Sequence, residues 1–171
     1  MKSEKVYIEY LLLKAQAGNA QAGEDLMSIL NAKIKAFALK LLGGSEAVDD
    51  CVQESLLKVY QRMNQLRQVK AVHAWIYRIV YSTCMDHIRK NPTTVNEAIE
   101  ASEDLSDFER QLDIKAAIAA LPKGQQVIIY LFYYEGFNVA EVAEILAKPA
   151  GTIKYLLFTA RDQIKSKLNQ N

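Results

Sequence analysis

Residues 138–168 read NVAEVAEILAKPAGTIKYLLFTARDQIKSKL. Val139, Val142, Ala143 and Leu146 fall on one face of a short helix. Ile153, Leu156 or Leu157, Ala160, Ile164 and Leu168 fall on one face of a longer one. Only Ala147-Lys148 joins them, and Pro149 suits a first helical position, where its missing N–H costs nothing. Small Ala143 at the crossing lets the two helices approach closely. A short helix, a tight turn and a longer helix with basic residues is the helix-turn-helix arrangement. Its second helix can enter a major groove and set side chains on base edges. The same pattern also suits a helical hairpin that simply completes a core.

Helical periodicity extends outward from this stretch over most of the 171 residues. Upstream, helices are expected at about 3–17, 20–42, 45–66 and 72–90, then at about 108–121 and 124–134. In the second, Leu26, Leu30, Ile34, Phe37 and Leu41 recur at spacings of three and four, and Gly43-Gly44 ends it. Ser45 caps the third, whose apolar positions are Val48, Val52, Leu56, Val59, Tyr60 and Met63. No segment alternates with a period of two. Half the residues are hydrophobic, and only 7 Gly and 3 Pro are present, too few for a turn-rich β fold. The fold expected is all-α.

The formal net charge is +1, which at first argues against a polyanionic partner. That balance is a cancellation. Residues 1–50 carry −1, residues 51–91 carry +5, residues 92–113 carry −6 and residues 114–171 carry +3. The acidic stretch holds Pro, Thr and Ser with little apolar periodicity, so it reads as a linker. The expected organisation is two small helical domains, 1–91 and 109–171, joined by an acidic linker at 92–108.

Several function classes are excluded on residue grounds. No apolar run reaches the roughly 18–20 residues that span a bilayer, and the N-terminus lacks a signal-peptide core and cleavage site. Cys51 and Cys84 form neither a CxxC motif nor a disulfide framework, so a reducing cytoplasm is the simplest setting. They are expected to be small packing residues. His73 and His87 have no Cys or carboxylate cluster at ligand spacing, so no metal is expected, and no cofactor. No Walker loop, dinucleotide loop, nucleophile elbow or catalytic carboxylate pair is present. An enzyme is not expected.

A second signal lies at Ala74-Trp75-Ile76-Tyr77-Arg78-Ile79-Val80-Tyr81-Ser82, continuing to Asp86-His87-Ile88-Arg89-Lys90. Aromatics interleave with cations along one helix. Aromatic faces can stack on unpaired bases while the cations hold phosphates, which suits a single strand. The plainer alternative places Trp75, Ile76, Ile79 and Ile88 in a core beneath a solvated basic face.

Taken together, these segments resemble the extracytoplasmic-function (ECF) group of bacterial sigma factors, over about residues 5–168. Asp50-Cys51-Val52-Gln53-Glu54-Ser55 is similar to the family's Asp-Leu-Val-Gln-Glu-Thr helix in region two. Ala74–Ile79 with Asp86–Arg89 looks like its melting and minus-ten-reading helix. Ala120-Leu121-Pro122, Tyr134–Phe137, Glu141–Leu146, Gly151–Lys154 and Ala160-Arg161 follow the order of region four. The resemblance implies an alternative sigma factor with RNA polymerase core, promoter DNA and an anti-sigma factor as partners. It implies core-polymerase contacts at Asp50, Gln53, Glu54 and Leu57. It implies minus-ten contacts at Trp75, Tyr77, Arg78, Tyr81, Ser82, Asp86, Arg89 and Lys90. Minus-thirty-five contacts fall at Thr152, Lys154, Tyr155, Phe158, Thr159 and Arg161.

The chain departs from the family pattern at informative places. Leu156 replaces an Arg, and Phe158 and Thr159 replace polar or basic residues. The centre of the second helix is therefore apolar. Tyr155 and Phe158 could meet thymine methyls, could face a protein such as an anti-sigma factor, or could mark weakened DNA binding. A protein-facing patch of this kind, with DNA binding weakened, would make the chain a sigma-like module that sequesters an anti-sigma factor. Ser82 stands where Asn is common, giving one hydroxyl in place of a bidentate amide. Ala147 stands where a turn Gly is common, so the turn must avoid positive φ or accept strain.

Overall fold

Every regular element of the computed structural model is helical in the residues that it describes, 2–44, 46–91 and 108–169. The chain divides into two compact units, Met1–Glu97 and Ala98–Asn171. The capping role expected of Ser45 and the linker expected at 92–108 (its last residue apart) lie outside the described residues.

The first unit holds α1 (Lys2–Gln16), α2 (Ala20–Leu42), α3 (Ala47–Arg62) and α4 (Val72–Lys90). Helix α2 packs against the other three. Its Leu26, Leu30, Ile34, Phe37 and Leu41 are all buried, as their spacing requires. Each contributes about 1.5–3 kcal/mol by leaving water. Asn19 starts α2 by accepting a 2.9 Å bond from the Ala22 N–H. Gly43, at φ 64°, closes it with a 2.8 Å bond to the Leu39 carbonyl.

Helix α3 stops earlier than its apolar pattern suggests. The α geometry ends at Arg62, a 3₁₀ turn covers Met63–Gln65, and Leu66 is extended. The reason is a tertiary clamp. The Gln16 amide at the end of α1 donates to the Met63 and Leu66 carbonyls at 2.7 and 3.0 Å. It satisfies acceptors that a helix end leaves orphaned. A second 3₁₀ turn, Val69–Ala71, leads into α4.

The second unit holds α5 (Phe108–Ala119), α6 (Lys123–Ile129), a π-helical turn (Tyr130–Tyr134), α7 (Val139–Ile145) and α8 (Ala150–Leu168). Helix α8 packs on α5, α6 and α7 through buried Ile153, Leu157 and Ala160. The expected single helix at 124–134 is α in its first part only. At its end the Glu135 N–H reaches back to the Tyr130 carbonyl, a five-residue step. Helix α7 has only two turns, too few to persist alone. A capping box supports it: Glu141 N–H bonds to the Asn138 side chain at 3.0 Å, and the Glu141 carboxylate accepts from the Asn138 N–H at 2.8 Å.

The turn between α7 and α8 accepts the strain that the sequence left as one alternative. Ala147 sits at φ 50°, a left-handed conformation that costs a residue with a Cβ about 1–2 kcal/mol. Lys148 N–H closes the turn on the Ala143 carbonyl at 3.0 Å. Pro149 stands just before the helix, not within it, with α8 beginning at Ala150.

Candidate nucleic-acid interface

On α3, the spacing of Asp50, Gln53, Glu54 and Leu57 places them on the outer face. Asp50 and Gln53 are exposed, Glu54 is half-buried, and Leu57 is 55% exposed. Tyr60 corrects the sequence pattern. It was grouped with the apolar face, yet it is 59% exposed. Its three-residue step from Leu57 continues the outer stripe, whereas Val52 and Val59 form the inner one. An exposed Leu–Tyr pair beside carboxylate and amide groups suits a protein surface.

Glu54 also ties α3 to α4. One carboxylate oxygen lies 2.6 Å from Lys58 Nζ and the other 3.1 Å from His87 Nε2. Lys58 Nζ in turn donates to Thr83 Oγ1 at 3.0 Å. The Lys58 hydrogen bond first, and the His87 bond second, hold the Glu54 carboxyl below the usual range. His87 thus faces this carboxylate from α4.

Beneath the clasp, Cys51 and Cys84 meet across α3 and α4, both fully buried. Burial pushes both thiols up, away from the reactive thiolate. His73 is buried against Glu9, 3.5 Å away on α1, and burial lowers its pKa.

On α4, Trp75 is half-buried, while Arg78, Ser82, Arg89 and Lys90 are exposed. Trp75, Arg78, Ser82 and Arg89 fall on one stripe by spacing. Tyr81 and Asp86 are half-buried at its border, and Asp86 pairs with Arg89. Burial raises the Tyr81 phenol. Tyr77 corrects the expectation of a strand contact. It is 5% exposed and its ring lies 4.9 Å from that of Phe37, tilted by 47°. Tyr77 is a core residue, because its position on α4 points at α2.

On α8, Thr152, Lys154, Tyr155, Phe158 and Arg161 are exposed. Thr159 is engaged within its own unit. It is half-buried, its hydroxyl accepts from Gln125 Nε2 at 3.1 Å, and it donates to the Leu156 carbonyl at 3.1 Å. That hydroxyl joins α8 to α6. Arg161 is exposed but braced. Its Nε donates to the Tyr133 hydroxyl at 2.6 Å, and its guanidinium lies 5.7 and 5.6 Å from the Phe132 and Tyr133 ring centres. Tyr133 escapes sequence reading because nothing in the spacing brings residue 133 to residue 161. Behind the brace runs an apolar groove of about 440 Å³ between α5, the π turn and α8. Ile114, Ile118 and Leu168 are among its lining residues, and Lys165 stands among them as a cation.

Among the described residues, no group of three or more His, Cys, Asp or Glu could hold a metal ion. None of their helices is long and apolar enough to cross a membrane.

Comparison with known proteins matches both units. The family described as Sigma-70 region 2 matches residues 26–93, and the one described as Sigma-70, region 4 matches residues 111–164. The ECF RNA polymerase sigma-E factor of Salmonella typhimurium is 27% identical, over 97% of this chain and 96% of that protein. The ECF RNA polymerase sigma factor SigM of Mycobacterium tuberculosis is 25% identical, over 90% and 81%. Among solved structures, the sigma factor RpoE of Bartonella quintana, in complex with the anti-sigma factor NepR, is 24% identical. Its TM-score is 0.63, and 85% of this chain and 96% of that one are covered. CnrH, in complex with the cytosolic domain of CnrY, has a TM-score of 0.62 at 20% identity, covering 96% and 99%. These two likenesses support the same helical fold.

Proposed function

This chain belongs to the extracytoplasmic-function group of the sigma-70 family, as an alternative sigma factor and not an enzyme, and we propose that it confers promoter recognition on core RNA polymerase by three helix faces. Helix α3 docks on the polymerase core through Asp50, Gln53, Glu54 and Leu57, with exposed Tyr60 beside them. Helix α4 captures the opened minus-ten strand through Trp75, Arg78, Tyr81, Ser82, Asp86, Arg89 and Lys90. Helix α8 meets the minus-thirty-five duplex through Thr152, Lys154, Tyr155, Phe158 and Arg161.

The observation that carries this reading is the coincidence of match and surface. Each outward stripe lies inside a region match, in family order. The division proposed is a region-two-like domain at 1–91, an acidic linker at 92–108 and a region-four-like domain at 109–171. The polymerase and template place its work in the cytoplasm, with no membrane insertion of its own. An anti-sigma factor is a further proposed partner, because both structural neighbours were solved as complexes and that of RpoE names one.

Transcription in vitro with purified core polymerase tests the reading. Transcripts that start at defined promoters only when the chain is added support it. A chain that binds an anti-sigma factor but yields no promoter-specific transcript would instead be a sequestering module.

A further inference from the structure

We propose, resting on the reading of α8 as a duplex-contacting helix, that Tyr155 and Phe158 read the C5-methyl group of pyrimidines in the major groove, whether of thymine or of 5-methylcytosine. The two rings are 66% and 69% exposed. The helix is anchored on its opposite side by Ile153, Leu157 and Ala160, so the rings project from a fixed platform. Three residues apart, they are neighbours on the helix surface. They are offset along its axis by about 4.5 Å, comparable with the base step of about 3.4 Å along one strand. Two rings can therefore meet two neighbouring bases.

The surroundings select a nucleic acid over a protein. Lys148 and Lys154 are exposed, and neither has a carboxylate partner among the described residues. From Lys148 to Leu168 the chain carries five cations (Lys148, Lys154, Arg161, Lys165 and Lys167) against Asp162 alone. Lys154 and Arg161 adjoin Phe158 on the helix surface, with Asp162 also one turn away, so the border is net positive and complements phosphates flanking an apolar feature of the groove floor. The phenyl ring of Phe158 has no hydrogen bond to offer a base edge. The apolar group that the major groove displays is the C5 methyl. On cytosine a C5 methyl projects into the same groove, so the same rings accept it.

The full chain bound to core polymerase is used to select duplexes from a library randomised upstream of the start site. In the enriched element, each thymine is then replaced by uracil, which lacks only the methyl. Cytosine and 5-methylcytosine are compared at the same positions. Each lost methyl is expected to weaken binding about fourfold, from the burial value of one carbon. At those positions, 5-methylcytosine should bind more tightly than cytosine. Phe158→Ala, with an unchanged thermal midpoint, should erase the discrimination at one position. Equal binding of thymine and uracil duplexes would overturn the inference and leave DNA reading by α8 standing. So would discrimination by thymine with 5-methylcytosine inert. A library that yields no upstream element would overturn both.

Discussion

Arg161 Nε donates a 2.6 Å hydrogen bond to the Tyr133 hydroxyl, joining α8 to the π turn that follows α6. The same guanidinium lies over the Phe132 and Tyr133 rings. Tyr133→Phe keeps the rings and removes only the hydroxyl. Because both residues are exposed, the loss should be about 0.5–1 kcal/mol in urea unfolding. Arg161→Ala should cost more, since ring stacking and stem packing go too. If the cation also contacts phosphate, Arg161→Ala lowers the salt slope of promoter binding. An unchanged slope would confine Arg161 to the brace.

Glu54 gives the first unit an acid-sensitive clasp. Its carboxyl pKa is lowered from the ordinary 4.5, so the folded state favours the ionised form. The contribution is whole above the unfolded value and is lost as pH falls through the folded one. Thermal midpoints of the native chain and of Glu54→Gln should therefore differ near neutral pH and converge below pH 4.5. A difference that grows in acid would contradict this assignment.

Ala147 offers a stabilising substitution. A left-handed alanine costs about 1–2 kcal/mol, and glycine gives back about 0.5–1 kcal/mol through its freer unfolded chain. Ala147→Gly should raise the stability of the second unit by about 0.5–1 kcal/mol, read from denaturant midpoints. A destabilised variant would show that the turn relaxes away from positive φ.

The two thiols should be silent in the native protein. Cys51 and Cys84 are fully buried and burial disfavours their thiolates. Iodoacetamide should leave both unmodified until denaturant unfolds the first unit, as followed by intact mass. Rapid alkylation of either in native buffer would rule out this burial.

Tyr77 and Arg78 separate packing from contact. Tyr77→Ala opens a cavity beside Phe37 and should cost about 3–5 kcal/mol. Arg78→Ala lies on the surface and should cost less than about 1 kcal/mol. A promoter-opening defect in the second variant without a stability loss assigns the function to the exposed stripe.

Periodicity made most of the helices legible, because burial of Leu26 through Leu41 or of Ile153, Leu157 and Ala160 is a one-dimensional pattern. It made the division of faces less legible. Tyr60 and Tyr77 are amphipathic residues that spacing alone does not assign, and each sits on the side opposite to its expectation. Thr159 and His87 are held by partners distant in sequence, Gln125 and Glu54, which spacing does not reveal. The early end of α3 depends on Gln16, which is 47 residues from Met63. Such side chain to backbone bonds leave no trace in local composition. The left-handed Ala147 was one of two open alternatives, and packing of α7 on α8 selected it.

The wide turn at Tyr130–Tyr134 gives this unit a seam where chain length is negotiable. A π step carries an additional residue while its neighbours keep ordinary helical bonding. Removing one residue there would let the backbone close as uninterrupted α-helix, so the gap itself need not break the unit. Local placement is the constraint. Within the wide turn Tyr133 and Tyr134 are set where an uninterrupted α-helix would not put them. The platform beneath Arg161 thus depends on a single surplus residue, and a one-residue deletion should preserve the helix while dissolving the brace.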